Sequence, residues 1–174
     1  MVSIAATNLD VPLAEFQKNL DEALQATGGD AEMFVGVQSR DRRWLLPMAA
    51  LEEVGLVQHV ARLGTMPPAV AGLANFRGQP RTLLDAPALL GGQSAIEAGA
   101  QWALILREAD LGVALLWPEI LGIFPLSAFP EEKTSDTPWV RALRRDQDGR
   151  VWEQLDVNGL LDHLHHGPTF KRDA

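Results

Sequence analysis

The stretch Met66–Gly92, MPPAVAGLANFRGQPRTLLDAPALLGG, decides how the chain is read. It has the pattern of a short apolar turn, a strand, a tight turn at Gly78-Gln79, a second strand, and a one-turn helix stopped by glycine. Gly72–Arg77 and Pro80–Asp85 are the two expected strands. Arg77 stands beside the turn in a region otherwise almost without charge. Glycines at 72 and 78 permit close backbone approach, and Asn75 has the side chain to hold a turn. A guanidinium placed there can clamp a carboxylate or a backbone carbonyl, or form an ordinary surface ion pair.

Outward from this unit the signals remain β. Glu32–Ser39 and Arg43–Pro47 flank a polar turn at Arg40-Asp41, whereas Met48–Val57 fits a helical turn or a strand. Gly91–Gln101 reads as a hinge between halves. Trp102–Glu108 and Leu111–Trp117 follow, joined by the Ala109-Asp110 turn. Pro125–Pro138 is the most loop-like stretch. Trp139–Arg145 and Arg150–Asp156 bracket a Gln147-Asp148-Gly149 turn. At the other end, Asp10 caps an expected helix whose Leu13, Phe16, Leu20 and Leu24 share one stripe, ended by Gly28-Gly29. That helix serves either as a packed element or as a partner-binding arm.

The chain also echoes itself. Leu84-Asp85-Ala86-Pro87-Ala88-Leu89-Leu90 and Leu155-Asp156-Val157-Asn158-Gly159-Leu160-Leu161 share the order Leu-Asp-three-Leu-Leu, and Glu53-Val54-Gly55 resembles Glu119-Ile120-Leu121-Gly122. In the longer pair an aspartate ends a strand and caps a short helix whose leucines plug a core. Two similar lobes follow from this, each a small barrel that hides its strand edges.

Bulk properties narrow the function. The 174 residues carry a formal net charge of -8, which disfavours nucleic acid as a partner. There is no cysteine, so thiol catalysis, disulfides and cysteine metal sites are excluded, and a cytoplasmic location fits. No basic-then-apolar leader and no apolar run long enough to span a bilayer is present, so no direct membrane insertion is expected. The five serines (3, 39, 94, 127 and 135) lie outside any nucleophile elbow. Neighbouring Glu52-Glu53 and Glu131-Glu132 point apart on regular structure. His163, His165 and His166 lack an obvious further ligand, and Asp146-Gln147-Asp148-Gly149 lacks the first and last residues of a calcium loop. No cofactor or metal is expected, and the chain does not read as an enzyme.

At these residues the chain resembles the CheW family of bacterial chemosensory adaptors. Family members carry Gly-x-x-Asn-x-Arg-Gly, then a Pro-apolar-apolar-Asp strand, then Leu-Leu-Gly; here these are Gly72–Gly78, Pro80–Asp85 and Leu89–Gly91. Leu46-Pro47-Met48 with Leu51–Val54, then Gly112–Leu116 with Ile120–Ile123 as a second-lobe hairpin, and finally Leu155–Leu161 continue the match. The resemblance implies an all-β fold of two small five-stranded SH3/OB-like β-barrel lobes with short helices. Residues 31–166 would form the CheW-like domain, 1–30 a helical extension and 167–174 a tail. It also implies a non-enzymatic adaptor that couples the cytoplasmic tip of a methyl-accepting chemoreceptor to the regulatory domain of a CheA-type histidine kinase. Leu51, Glu53, Val54, Gly72, Asn75, Arg77 and Gly78 would line or shape the receptor-facing groove, with Asp85 bracing the barrel. The N-terminal extension, the Pro-Met pair and Phe124-Pro125-x-x-x-Phe129 look like the type IV pilus (twitching motility) branch, PilI. Two departures stand out: Pro118 threatens a ladder hydrogen bond, and Arg81 enters a strand that is normally apolar. The alternative function is a β-barrel protein that binds a small ligand.

Overall fold

The computed structural model describes residues 31–166 except 63, 98, 100–101 and 108–111, together with Lys18. The expected helix over 10–28, the Ala109-Asp110 turn and the 167–174 tail lie outside the described residues. Strands β1 (Met33–Ser39), β2 (Arg42–Pro47), β8 (Glu119–Pro125), β9 (Glu131–Thr134), β10 (Val140–Arg145) and β11 (Val151–Leu155) form one sheet, ordered β8-β1-β2-β11-β10-β9. Strands β3 (Leu51–Leu56), β4 (Val70–Phe76), β5 (Gln79–Asp85), β6 (Trp102–Leu106) and β7 (Val113–Trp117) form the other, ordered β3-β6-β7-β5-β4. Helix α1 (Ala86–Leu89) follows β5 and helix α2 (Val157–His166) follows β11. The first sheet, made from both ends of the described chain, is called the terminal lobe here; the second is the central lobe. The fold is all-β with two SH3/OB-like lobes, as the sequence implied, although neither ladder closes fully and the terminal lobe has a sixth strand.

The lobes match strand for strand. Read from one edge, β8-β1-β2-β11-β10 and β3-β6-β7-β5-β4 have the same succession: antiparallel, antiparallel, parallel, antiparallel. In each, the strand before the helix ends on a capping aspartate. Asp85 accepts from the Ala88 amide at 3.2 Å, and Asp156 from the Gly159 amide at 3.0 Å. The repeat is therefore real, but it is exchanged between lobes. The first half of the chain gives β1 and β2 to the terminal lobe and β3–β5 with α1 to the central lobe. The second half gives β6 and β7 to the central lobe and the rest to the terminal lobe.

This exchange corrects three expectations. Gly91–Gln101 is not a hinge between lobes, because β5 before it and β6 after it share a sheet. The expected second-lobe hairpin divides between sheets, with β7 in the central lobe and β8 in the terminal lobe. Pro118 sits at that crossing, so it removes no ladder bond, and β8 pairs with β1 from Glu119 onward. Chain crossings occur at Met48–Ala50, a 3-10 turn followed by strand β3, and at Pro118; both the helical and the strand reading of Met48–Val57 are met. Arg107 pins the first crossing. Its guanidinium donates to the carbonyls of Ala49 (3.0 Å) and Leu51 (2.8 Å), while its amide donates to Ala50 (2.9 Å).

Alternation along the strands builds three cores. On β7, Val113, Leu115 and Trp117 belong to a core shared between the sheets, whereas Ala114 and Leu116 fill the central lobe. On β1 and β2, Val35, Val37, Trp44 and Leu46 face the shared core, and Phe34 and Leu45 face an aromatic core with Phe129 and Trp152. Leu90, Leu160 and Leu161 plug the shared core from the helices. These strands are buried on both faces, which is why they read as continuous apolar runs rather than alternating ones.

One turn and one strand differ from expectation. The β4–β5 turn is Arg77-Gly78, one residue earlier than predicted, with Phe76 opposite Gln79. Both turn residues have positive φ (52° and 79°), the conformation a two-residue hairpin needs to match strand twist. The loop-like stretch after Pro125 holds β9, whose four residues are all exposed. Its charges hid it from a hydrophobic pattern, yet they suit an edge strand and pair with β10: Glu132–Arg145 at 2.7 Å and Glu131–Arg144 at 3.5 Å. The Gln147-Asp148-Gly149 turn is found as read, with Asp146 Oδ1 accepting from the amides of Asp148 and Arg150, both at 2.9 Å.

Asp85 is 1% exposed and organises the end of the central lobe. Besides capping α1, it accepts from the Ser94 hydroxyl (2.6 Å) and the amides of Ala95 (2.9 Å) and Ile96 (3.4 Å). Asp85→Ala should cost about 3 kcal/mol, because several buried donors lose their acceptor together. A urea midpoint unchanged from the parent would refute this bracing role.

Asp146 supplies a pH-dependent contribution. Partial burial pushes its carboxyl pKa up, but donation from Trp152 Nε1 and the Arg150 and Asp148 amides, with the Arg150 charge, brings it below 3.8 overall. A depressed folded pKa gives stability that is complete above the unfolded value and lost as pH falls through the folded one. The stability difference between the parent and Asp146→Asn should therefore shrink as pH is lowered below 3.8. Denaturant melts at a series of acidic pH values would read it.

Candidate functional site

The hairpin of the reading frame's decisive stretch sits at one end of the central lobe. Asn75 Oδ1 accepts from the Gly78 amide at 2.8 Å and fixes the turn, as its identity predicted. Arg77 at the apex has 56% of its side chain exposed, and its Nε lies 3.1 Å from Glu53 Oε1, whose side chain is 14% exposed. With more than half of its side chain exposed, the guanidinium remains open to solvent beside Glu53. The surface ion-pair reading of Arg77 is met by Glu53.

Glu53 lies on β3 and Arg77 follows β4, the two opposite edges of the central sheet. A pair spanning them means that the sheet is rolled until its edges meet. A second pair lies beside it: Arg81, on β5 one strand in from the β4 edge, has Nη2 3.1 Å from both carboxylate oxygens of Glu52 on β3. Phe76 completes the seam, since a Cβ on Gly55 would stand 3.2 Å from its ring. The lobe is closed by side chains where the backbone ladder stops. Such exposed pairs contribute about 0.2–1 kcal/mol each, so they shape the tip more than they hold the fold.

The seven residues singled out from the sequence fall into two groups. Glu53, Asn75, Arg77 and Gly78 meet at the surface of the tip. Leu51 is only 6% exposed and belongs to the shared core, and Val54 is half-buried against that core. Gly72 is buried with φ 144°, and a Cβ there would stand 2.5 Å from the carbonyl oxygen of Ala61. That space admits residues 60–61, where Ala61 and Leu73 exchange backbone bonds at 2.8 and 2.9 Å. Leu51 and Gly72 therefore support the tip from beneath.

Glu52 and Arg81 were not picked as site residues. The signal was present in Arg81, a charge within an apolar strand, but its partner is 29 positions earlier in sequence. Elsewhere, His163 packs on Trp139 with ring centroids 4.5 Å apart. Among the described residues no group of three His, Cys, Asp or Glu is placed to hold a metal ion, and no helix is long and apolar enough to cross a membrane.

Comparison with known proteins agrees with this architecture. A solved structure titled as the scaffolding protein TtCheW from Thermoanaerobacter tengcongensis is similar in fold, with a TM-score of 0.62 at 16% identity, covering 75% of this chain and 87% of that one. No curated protein matches by sequence. The family model described as the CheW-like domain matches residues 33–165, a span that takes in both lobes, both sheet crossings and the Arg77 hairpin. The chain belongs to the CheW-like domain family.

Proposed function

We propose that this chain is a non-enzymatic cytoplasmic adaptor that couples the cytoplasmic tip of a methyl-accepting chemoreceptor to the regulatory domain of a CheA-type histidine kinase. The working unit is residues 31–166, and the pathway is one of chemotaxis or of twitching motility, the PilI-like features supporting the second. The observation that carries the reading is the Arg77 turn, where a side chain 56% exposed has its Nε 3.1 Å from Glu53. A rigid turn with such a cation suits recognition of a helical hairpin's carboxylates or free carbonyls. Each interface would be modest, about 1,200 Å² in total, as befits assembly into arrays.

Calorimetric titration with the kinase regulatory domain tests the reading most directly. Saturable binding is expected; two folded proteins that do not bind would defeat it. For the receptor side, Arg77→Ala should reduce affinity for a receptor-tip fragment about 10-fold, or 1.4 kcal/mol, while leaving the urea midpoint nearly unchanged. Arg77→Lys should restore little, because a point charge cannot use the anchored fork. Normal receptor binding by folded Arg77→Ala would remove this tip from the receptor interface.

A further inference from the structure

The strand-for-strand match between lobes makes their differences informative. In the central lobe, the mouth between β3 and the β4–β5 hairpin is sealed by Glu53–Arg77, Glu52–Arg81 and Phe76. The equivalent mouth in the terminal lobe lies between β8 and the β10–β11 hairpin. No ion pair among the described residues crosses it, and a cleft of about 390 Å³ opens there.

The cleft has a distinct chemistry. Its floor is aromatic: Phe124, Phe129 and Trp152 meet edge to face with centroids 5.0–5.8 Å apart. Gly36 lies beneath, where a Cβ would come within 2.7 Å of Phe124 and 3.0 Å of Trp152. Arg43 forms one wall, its guanidinium 5.8 Å from the Trp152 ring centre and without a carboxylate partner among the described residues. On the opposite wall, Arg150 is already matched by Asp148 at 2.9 Å. Asp146 lines the cleft as well, its carboxylate held by Trp152 Nε1 and the amides of Asp148 and Arg150. The site therefore offers an aromatic floor with Arg43 as the cation outside these pairings, and an apolar anchor with a carboxylate toward Arg43 fits it.

The chain carries such a segment at the right place. Residues 1–30 contain five carboxylates and one lysine, and at helical spacing Leu13, Phe16, Leu20 and Leu24 share one stripe edged by Asp10 and Asp21, with Glu15 and Glu22 on the opposite face. The segment joins the fold at the cleft's rim. The carbonyl of Glu32 accepts from the Leu126 amide at 3.0 Å, and the turn starting at Leu126 leads into Ala128 and Phe129 of the cleft. Leu24 to Glu32 reaches up to about 27 Å when extended, more than enough to turn the stripe back onto this face. Tethering also raises the local concentration to the millimolar range, so a small contact suffices.

We propose that the N-terminal segment docks in cis on this cleft, with Phe16 on the aromatic floor and the edge of the stripe that carries Asp10 and Asp21 toward Arg43. The contact completes the terminal lobe where the central lobe completes itself with ion pairs. It uses the lobe opposite the Arg77 tip and stands independently of the receptor and kinase reading.

The absence of cysteine makes the test clean. A spin label is attached to the full chain at Ala14→Cys, and amide signals of the folded region are recorded by NMR. Loss of most intensity at Leu121, Phe124 and Gln147–Arg150 is the expected result, with recovery when Phe16→Asp is added and partial recovery with Arg43→Glu. Broadening centred on the central lobe or α2, or no broadening of the folded region, overturns the proposal. Mixing spin-labelled chains with unlabelled isotope-enriched ones separates the source. Broadening that persists in the enriched chains assigns the occupant to a second copy and overturns docking in cis.

Discussion

Trp44 and Trp117, with ring centroids 5.2 Å apart, lie on β2 and β7, the two strands after which the chain leaves one sheet for the other. Both are fully buried in the shared core, and each indole N–H lacks a partner among the described residues. Leaving two donors unmatched is costly, about 1–3 kcal/mol apiece, so the rings are retained for what they fill. They fill the layer between the sheets, where Val35, Val37, Leu46, Leu104, Leu115 and Leu155 also converge. Arg42 covers the end of that layer. Its guanidinium lies 4.9 Å over the Trp44 ring and bonds Glu153 and the Leu90 carbonyl, which ties β2 to β11 and to the end of α1. The positions of the Arg77 tip and the terminal cleft both depend on this packing, since every strand that carries them is anchored in it.

The exchange of strands gives the two lobes a relation that a simple tandem pair would lack. Neither lobe contains a complete half of the sequence, so separating them would pull paired strands out of both sheets. A protein that grips partners on different faces benefits from such a rigid frame, because binding geometry at one face is preserved at the other. The lobes also diverge in how their mouths close: paired charges in one, aromatic rings in the other. That divergence frees each end to recognise different chemistry while the frame stays common to both.

Much of this was legible in the residues. Hairpins at Arg40-Asp41 and around Gly149, the Asp85 and Asp156 caps and the leucine plugs all come from local turn and cap chemistry, which short windows contain. Asn75 as a turn-holder was readable for the same reason. The exchange between lobes was not, because it depends on which strands pair across sequence distances that no local pattern encodes. Buried runs such as Trp102–Leu106 compound the problem, as they show no alternation to assign a face. The Arg77–Glu53 and Arg81–Glu52 pairs escaped for a related reason: each links β3 to the far side of the sheet, which it meets only once the sheet rolls. Leu51 was legible as apolar and well placed, yet only packing shows that it supports the site from within.

The parallel pairing of β2 with β11, Trp44 opposite Glu153 and Leu45 opposite Gln154, also bears on how the chain is made. As it emerges from the ribosome, the β1–β2 hairpin has its own turn but no sheet to join until β8 and β11 have been synthesised. The central lobe, by contrast, has all its strands once Trp117 is out. Non-local pairings of this kind slow folding and leave apolar strands waiting. In chain order, β11, which pairs with that hairpin, and α2, whose leucines fill the shared core, are the last of the described elements to be made.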